Sequence, residues 1–223
     1  MKKYLVPLTL SALASAAAHA HERGSWLVRA GLANVDPDAS SSALVLDGAA
    51  IGGSGADVDD NTQLGLTVAY MLTDHVAVEV LASTPFEHDI SASTGALGLG
   101  DIDAGTTKHL PPTVSLLYYP LESASAFQPY AGAGLNYTLF FDEDVDSELE
   151  NVLGSGSLEL DASWGLSAQV GFDYMLSDTM FLNGSLWWID IDTDAEFQFA
   201  DNRITTDVEI DPFVYQLTLG WRF

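Results

Sequence analysis

The sequence predicts an all-β fold, an eight-stranded antiparallel transmembrane β-barrel with long outer loops and short periplasmic turns. Three observations carry that prediction. Large apolar side chains alternate with small or polar ones over long segments, a period of two. The second face of these segments is built from Gly, Ser, Thr, Ala and Gln, with almost no Lys or Glu. The connections between segments alternate long and short. A soluble β-sandwich shares the alternation but carries charge on its outward face. Small polar residues suit the tight interior of a narrow barrel, and a bulky apolar face with aromatics at its ends suits lipid.

Residues 1–20 read as a secretory signal peptide. Lys2 and Lys3 form its charged start, Leu5 to Ala18 its apolar run, and Ala18-His19-Ala20 its small-x-small cleavage site. The apolar run is too short for a membrane anchor, and no positive flank follows it. Cleavage would leave 21–223 as a single outer-membrane β-barrel domain beginning at His21. The chain contains no Cys, so neither disulfides nor thiol chemistry contribute.

Eight strands are expected at 24–35, 62–73, 75–86, 107–119, 128–141, 158–176, 180–191 and 207–223. In 63–72, Leu64, Leu66, Val68, Tyr70 and Leu72 oppose Gln63, Gly65, Thr67, Ala69 and Met71. In 160–176, Trp164, Leu166, Val170, Phe172 and Tyr174 share one face, and Ser163, Gly165, Ser167, Gln169 and Asp173 share the other. The last strand has Phe213, Tyr215, Leu217, Leu219, Trp221 and Phe223 at its odd positions. An even number of antiparallel strands puts both termini on the periplasmic side, and closure pairs the backbone groups that lipid cannot satisfy. The connections 36–61, 87–106, 142–157 and 192–206 are long and read as outer loops. The others are shorter, with Asp74 and Ser177-Asp178-Thr179 as tight turns.

Charge follows the same division. The chain has 32 acidic and 7 basic residues, a formal net charge of −25. Twenty of the acids fall in the four long connections, where Arg203 is the only base. Seven bases cannot neutralise many phosphates, so nucleic acid is excluded as a partner. An acidic crown would repel anions at the outer surface.

Several stretches resemble the OmpW family of small bacterial outer-membrane barrels. They are Asn61-Thr62-Gln63-Leu64-Gly65-Leu66-Thr67, Thr84-Pro85-Phe86, His109-Leu110-Pro111-Pro112-Thr113, Pro129-Tyr130-Ala131-Gly132-Ala133-Gly134-Leu135-Asn136-Tyr137-Thr138, Asp190-Ile191-Asp192-Thr193, and the end from Asp211-Pro212 to Arg222-Phe223. Together they run in order through nearly the whole chain after residue 20. The resemblance implies an eight-stranded barrel in the Gram-negative outer membrane and passage of small hydrophobic molecules across it. The alternating Tyr215, Leu217, Leu219, Trp221 and terminal Phe223 further resemble the sorting signal read by the outer-membrane assembly machinery. A lipid-facing last strand would show the same pattern.

Following the alternation, the lumen receives Leu27, Arg29, Gly31, Gln63, Thr67, Glu79, Leu81, Gln169, Asp173, Asn183, Ser185, Trp187, Gln216, Thr218 and Arg222. Eight strands leave a bore that side chains nearly fill. Leu81 and Trp187 are apolar there, and form either a hydrophobic constriction or ordinary plugging. Arg29, Glu79, Asp173 and Arg222 are interior charges, which need partners at membrane depth.

No catalytic constellation emerges. There is no G-x-S-x-G elbow, and Gly95 to Gly100 lacks the strand-to-helix setting of a nucleotide site. Asp142-Glu143-Asp144-Val145-Asp146 begins like a calcium loop, but Ser147 and Leu153 stand where that loop needs Gly and Glu. His75, His88 and His109 lack close metal-ligand spacing. The expectation is therefore a non-enzymatic barrel without cofactor or metal, whose partners are outer-membrane lipids, the assembly machinery and small hydrophobic solutes. The competing reading is a closed structural barrel that binds partners through its loops.

Overall fold

The computed structural model describes residues 21–98 and 100–223. The expected signal peptide, with its cleavage site, lies outside the described residues. In chain order the strands are β1 (Trp26–Asp36), β2 (Ser40–Ser41), β3 (Val45–Leu46), β4 (Ala49–Ala50), β5 (Gly55–Val58), β6 (Asn61–Met71), β7 (Val76–Ser83), β8 (Phe86–Ser93), β9 (Asp101–Leu110), β10 (Thr113–Tyr118), β11 (Phe127–Val145), β12 (Gly156–Leu160), β13 (Ser163–Met175), β14 (Met180–Ile189), β15 (Asp192–Phe199), β16 (Arg203–Glu209) and β17 (Phe213–Arg222). One helix, α1 (Ser147–Leu153), lies between β11 and β12.

Eight of these strands close the barrel in the order β10-β7-β6-β1-β17-β14-β13-β11, and β11 pairs back onto β10. All pairs are antiparallel. The first and last strands join from Leu27 opposite Arg222 to Asp36 opposite Phe213. Closure leaves no barrel edge, which is what lipid requires of a sheet. At one end the connections are tight: Leu72 N–H donates to the Val76 carbonyl and Leu176 N–H to that of Met180, both at 2.8 Å. This is the periplasmic end.

The long outer connections are built largely of strands. β8 and β9 form a hairpin flanked by β5, and β15 and β16 form another flanked by β12, β2 and β3. They carry the barrel wall beyond the membrane. Their alternation is that of a water-facing sheet: Thr193, Ala195, Phe197 and Phe199 are buried, whereas Asp192, Asp194 and Gln198 are exposed. The acids that suggested solvated loops are the outward half of this pattern.

Several expected strands are also split. Span 107–119 breaks at Pro111-Pro112, and 75–86 at Thr84-Pro85. Proline has no N–H to give a ladder. Span 207–223 breaks around Asp211-Pro212, where Asp211 adopts φ 37°, and 158–176 breaks at Asp161-Ala162. In the acidic segment Asp142–Asp146, Asp146 caps α1, accepting from Glu148 N–H at 2.7 Å.

Candidate lumen and outer solute pocket

The barrel's outer surface is an apolar band. Leu32, Leu64, Leu116, Leu135, Leu166, Val170 and Leu217 are exposed along it. Trp26 packs on Tyr70 near the turns, with ring centroids 4.9 Å apart, and Tyr137 packs on Trp164 toward the other rim at 4.4 Å. Aromatic pairs at both borders of an apolar band match a membrane's two interfaces. Tyr215, Leu217, Leu219, Trp221 and Phe223 all point outward.

Inside, the periplasmic half is filled by one polar network. The Arg29 guanidinium is buried and grips Asp173 with two donors, Nε at 3.1 Å and Nη2 at 2.8 Å. Its Nη1 also donates to Glu79, and its Nη2 to the Tyr119 hydroxyl at 2.8 Å. Gln169 donates to the other Glu79 oxygen at 3.0 Å, and Asn183 to Asp173 at 2.8 Å. Buried charge of this kind is tolerable only when paired and hydrogen-bonded. His21 closes the base, its Nε2 2.8 Å from Asp173 and its ring edge-on to Tyr119. Met71, Leu117, Tyr130 and Phe181 pack around it.

Arg222 lies at the strand end, toward the tight turns. It sits half-buried at the last residue of β17, donating to the Asp178 carbonyl at 2.9 Å. It keeps the inward phase that the alternation gives it, opposite the buried Leu27, at the periplasmic mouth of the bore.

Above the network, Leu81 and Trp187 belong to one apolar cluster with Val35, Phe86, Ile189 and Val214. Leu81 is 4% exposed and Trp187 1%, whereas the adjacent Trp188 faces outward. The void left among Leu81, Phe86, Pro111 and Ile189 is about 10 Å³. One water needs at least roughly that much. Buried Leu81, Phe86, Trp187 and Ile189 thus pack across the bore at this level.

Above the shutter the interior opens. A cavity of about 110 Å³ lies among the inward faces of the outer hairpins. Leu44, Ile51, Ile90, Leu160, Phe197 and Ile204 form its walls, and Leu149 of α1 packs against them. Its polar contributors include His88 and His109, both buried, with ring centroids 4.9 Å apart. Burial pushes the His109 imidazole down to about 3, and the neighbouring His88 adds to the effect. His88 is lowered as well, again mainly by burial.

The wall beside His88 carries a seam. β6 and β7 pair from Met71 opposite Ala77 up to Gly65 opposite Ser83, and β5 and β8 pair from Val58 opposite Ile90 upward. Between these ladders, Asn61 to Gln63 has no strand pairing with Pro85 to Glu87. The seam is held below by Thr84 N–H donating to the Leu64 carbonyl at 3.0 Å and above by Asp59 N–H donating to the Asp89 carbonyl at 3.2 Å. Both strands also switch phase here. Gly65 and Ser83 belong to the inward set below, Val58 and Phe86 to the inward set above.

A lipid-facing antiparallel barrel whose described residues begin and end at its short-turn end, with an apolar chamber at the other, defines a small outer-membrane barrel protein. The OmpW family model matches residues 22–223, and the chain belongs to that family, whose place is the Gram-negative outer membrane. It is 50% identical over 215 residues to outer membrane protein W of Vibrio cholerae, covering 96% of this chain and 95% of that protein. It resembles the crystal structure of OprG from Pseudomonas aeruginosa at 44% identity and TM-score 0.86, covering 92% of this chain and 98% of that one. It is 29% identical over 202 residues to the dibenzothiophene metabolism operon protein PahQ of Pseudomonas aeruginosa, covering 91% of this chain and 90% of that protein.

Sequence reasoning missed the meeting of His88 and His109. They lie 21 positions apart on segments read as loop and strand. Treating 86–93 and 101–110 as a hairpin would have brought them together. Nor did it place His21, Tyr119 and Tyr130 in the interior network, because they stand at or near strand ends where alternation gives little information.

Proposed function

We propose that this barrel passes small apolar molecules across the outer membrane, receiving them in the outer chamber and releasing them sideways through the seam between β6 and β8. The observation that carries this reading is the pairing of an apolar chamber with a shut bore: a solute that enters the chamber finds no way straight down. The seam borders Leu64, which faces lipid, and His88, which faces the chamber. A solute slipping between them exchanges one apolar surrounding for another and never meets the Arg29 network. PahQ, named for an operon of metabolism of an apolar aromatic compound, points the same way. In this reading Leu81 and Trp187 floor the chamber, while Arg29, Glu79 and Asp173 hold the sealed half together. The protein acts as a conduit rather than a catalyst, and its outward Tyr215, Leu217, Leu219, Trp221 and Phe223 serve as the signal for barrel assembly.

Uptake of naphthalene by cells producing the protein tests the transport reading. Producing cells should take it up faster than cells lacking the protein, and a chamber-filling Ala56→Trp variant at equal surface abundance should remove the gain. Equal uptake in all three would favour a closed barrel that works through its outer surface. For assembly, removal of residues 219–223 should abolish the heat-modifiable folded band in outer-membrane fractions.

A further inference from the structure

We propose that α1 is the lid of the outer chamber and that solutes enter beneath it, past Val152. The inference rests on the chamber reading above and adds to it the place of entry.

The helix is short and two-faced. Leu149, Val152 and Leu153 stand at the i, i+3, i+4 spacing of one helix face, and all three line the chamber. Ser147, Glu148 and Asn151 are exposed. Leu149 is buried, so the helix is seated on the chamber. Val152 is 57% exposed, and every other residue lining the chamber is buried or half-buried. The apolar lining therefore meets water at Val152.

α1 is also the least anchored part of the chamber wall. The strands β8, β9, β15 and β16 are held by ladders of paired residues, and no ladder holds α1. Among the described residues, two hydrogen bonds tie the helix to wall strands. Asp103 N–H donates to Glu148 Oε2 at 3.2 Å, and Gly156 N–H to Glu150 Oε1 at 3.4 Å. Both are accepted by the ends of long side chains. Asp146 N–H donates to the Ala104 carbonyl at 3.0 Å and fixes the chain just before the helix. Gly154, just after it, takes φ 88° in open space, a conformation that favours glycine. Seven residues have little helical stability of their own, so the apolar contact of Leu149 and Leu153 is what seats α1. An apolar solute offers the chamber the same contact and replaces the surface that Leu149 gives up.

The size of the closed chamber requires such a movement. Its volume is about 110 Å³. A dry apolar cavity of roughly 150 Å³ takes a single benzene ring. A two-ring solute therefore enters only if a wall gives, and α1 is the wall with the fewest ties.

The test is naphthalene uptake by cells producing full-length variants at equal surface abundance. Val152→Glu places a charge at the entrance, on a side chain already exposed. It should slow uptake about fivefold, a barrier rise of about 1 kcal/mol. Asn151→Glu adds the same charge one residue away on the outward side and should leave uptake unchanged. A second arm holds the lid itself. The chain has no cysteine, and Asp103 and Glu148 are both exposed. Asp103→Cys with Glu148→Cys is joined by the reducible cross-linker methanediyl bismethanethiosulfonate. Uptake should be slow with the link in place and recover on reduction. Uptake at the wild-type rate by Val152→Glu, or by the fully cross-linked pair, would overturn the lid and leave transport through the chamber standing. Uptake no faster in wild-type cells than in cells lacking the protein would overturn both.

Discussion

The two halves of the barrel interior solve opposite problems. The periplasmic half encloses charge within a packed network. Arg29 meets Asp173, Glu79 and Tyr119 within one network, and His21 and Phe181 pack beneath it. The outer half encloses apolar surface and keeps a chamber, with two imidazole nitrogens left unsatisfied. A narrow barrel is stable when full, so the unfilled half is the part whose construction needs a functional explanation. The difference also separates strength from use: ion pairs in the sealed half hold strands that are 144 positions apart, while the open half is roofed by short strands and one helix.

The contrast can be broken most forcefully at Arg29. Arg29→Met leaves Glu79 and Asp173 as buried carboxylates with no cation between them. Breaking a buried pair on one side costs about 3–5 kcal/mol. Urea titration of the folded band should show a loss of that order. Arg29→Met paired with Glu79→Gln and Asp173→Asn should recover much of it.

Acid should act on the other half. His109 is held neutral, near 3, by burial, below its ordinary value of about 6.5. Opening the pocket lets the ring take up a proton that the closed form refuses. Stability of the outer hairpins should therefore be constant above pH 6.5 and fall as pH drops toward 3. At pH 4 the loss is on the order of 3 kcal/mol. Hydrogen exchange of β8 and β9 amides, corrected for intrinsic rates, should accelerate between pH 7 and pH 4 while β1 and β17 hold. In His109→Phe the acceleration should largely vanish.

The smallest effect belongs to the roof. Asp146→Ala removes the cap that satisfies Glu148 N–H and should cost about 1 kcal/mol. It should appear as faster exchange in α1 alone.

The barrel was legible in the sequence because alternation survives wherever one face meets lipid and the other is small or polar. Alternation is weakest at the adjacent Trp187 and Trp188, one of which must face lipid, and there the structure decides: Trp187 is buried and Trp188 exposed. The same rule failed in the outer hairpins, where Asp192 and Asp194 on the outward face made 192–206 look like solvated loop. There the inward Phe197 and Phe199 were the better guide. Arg222 shows a second limit: alternation gives its inward phase but not its bond to the Asp178 carbonyl in the neighbouring turn. The chamber was illegible for a third reason. It is made by residues of several hairpins, and only their pairing brings Leu44, Ile90 and Phe197 around one space.

The central claim is sideways release at the seam. Gln63 and Thr84 touch there, the Thr84 hydroxyl donating to Gln63 Oε1 at 3.1 Å. The chain has no cysteine of its own, so Gln63→Cys with Thr84→Cys introduces one disulfide across the seam's lower end. Naphthalene uptake is then measured in the same cells before and after reduction. The account predicts slow uptake with the bond closed and recovery to the wild-type rate once it is reduced. Uptake at the wild-type rate with the disulfide fully formed would contradict it.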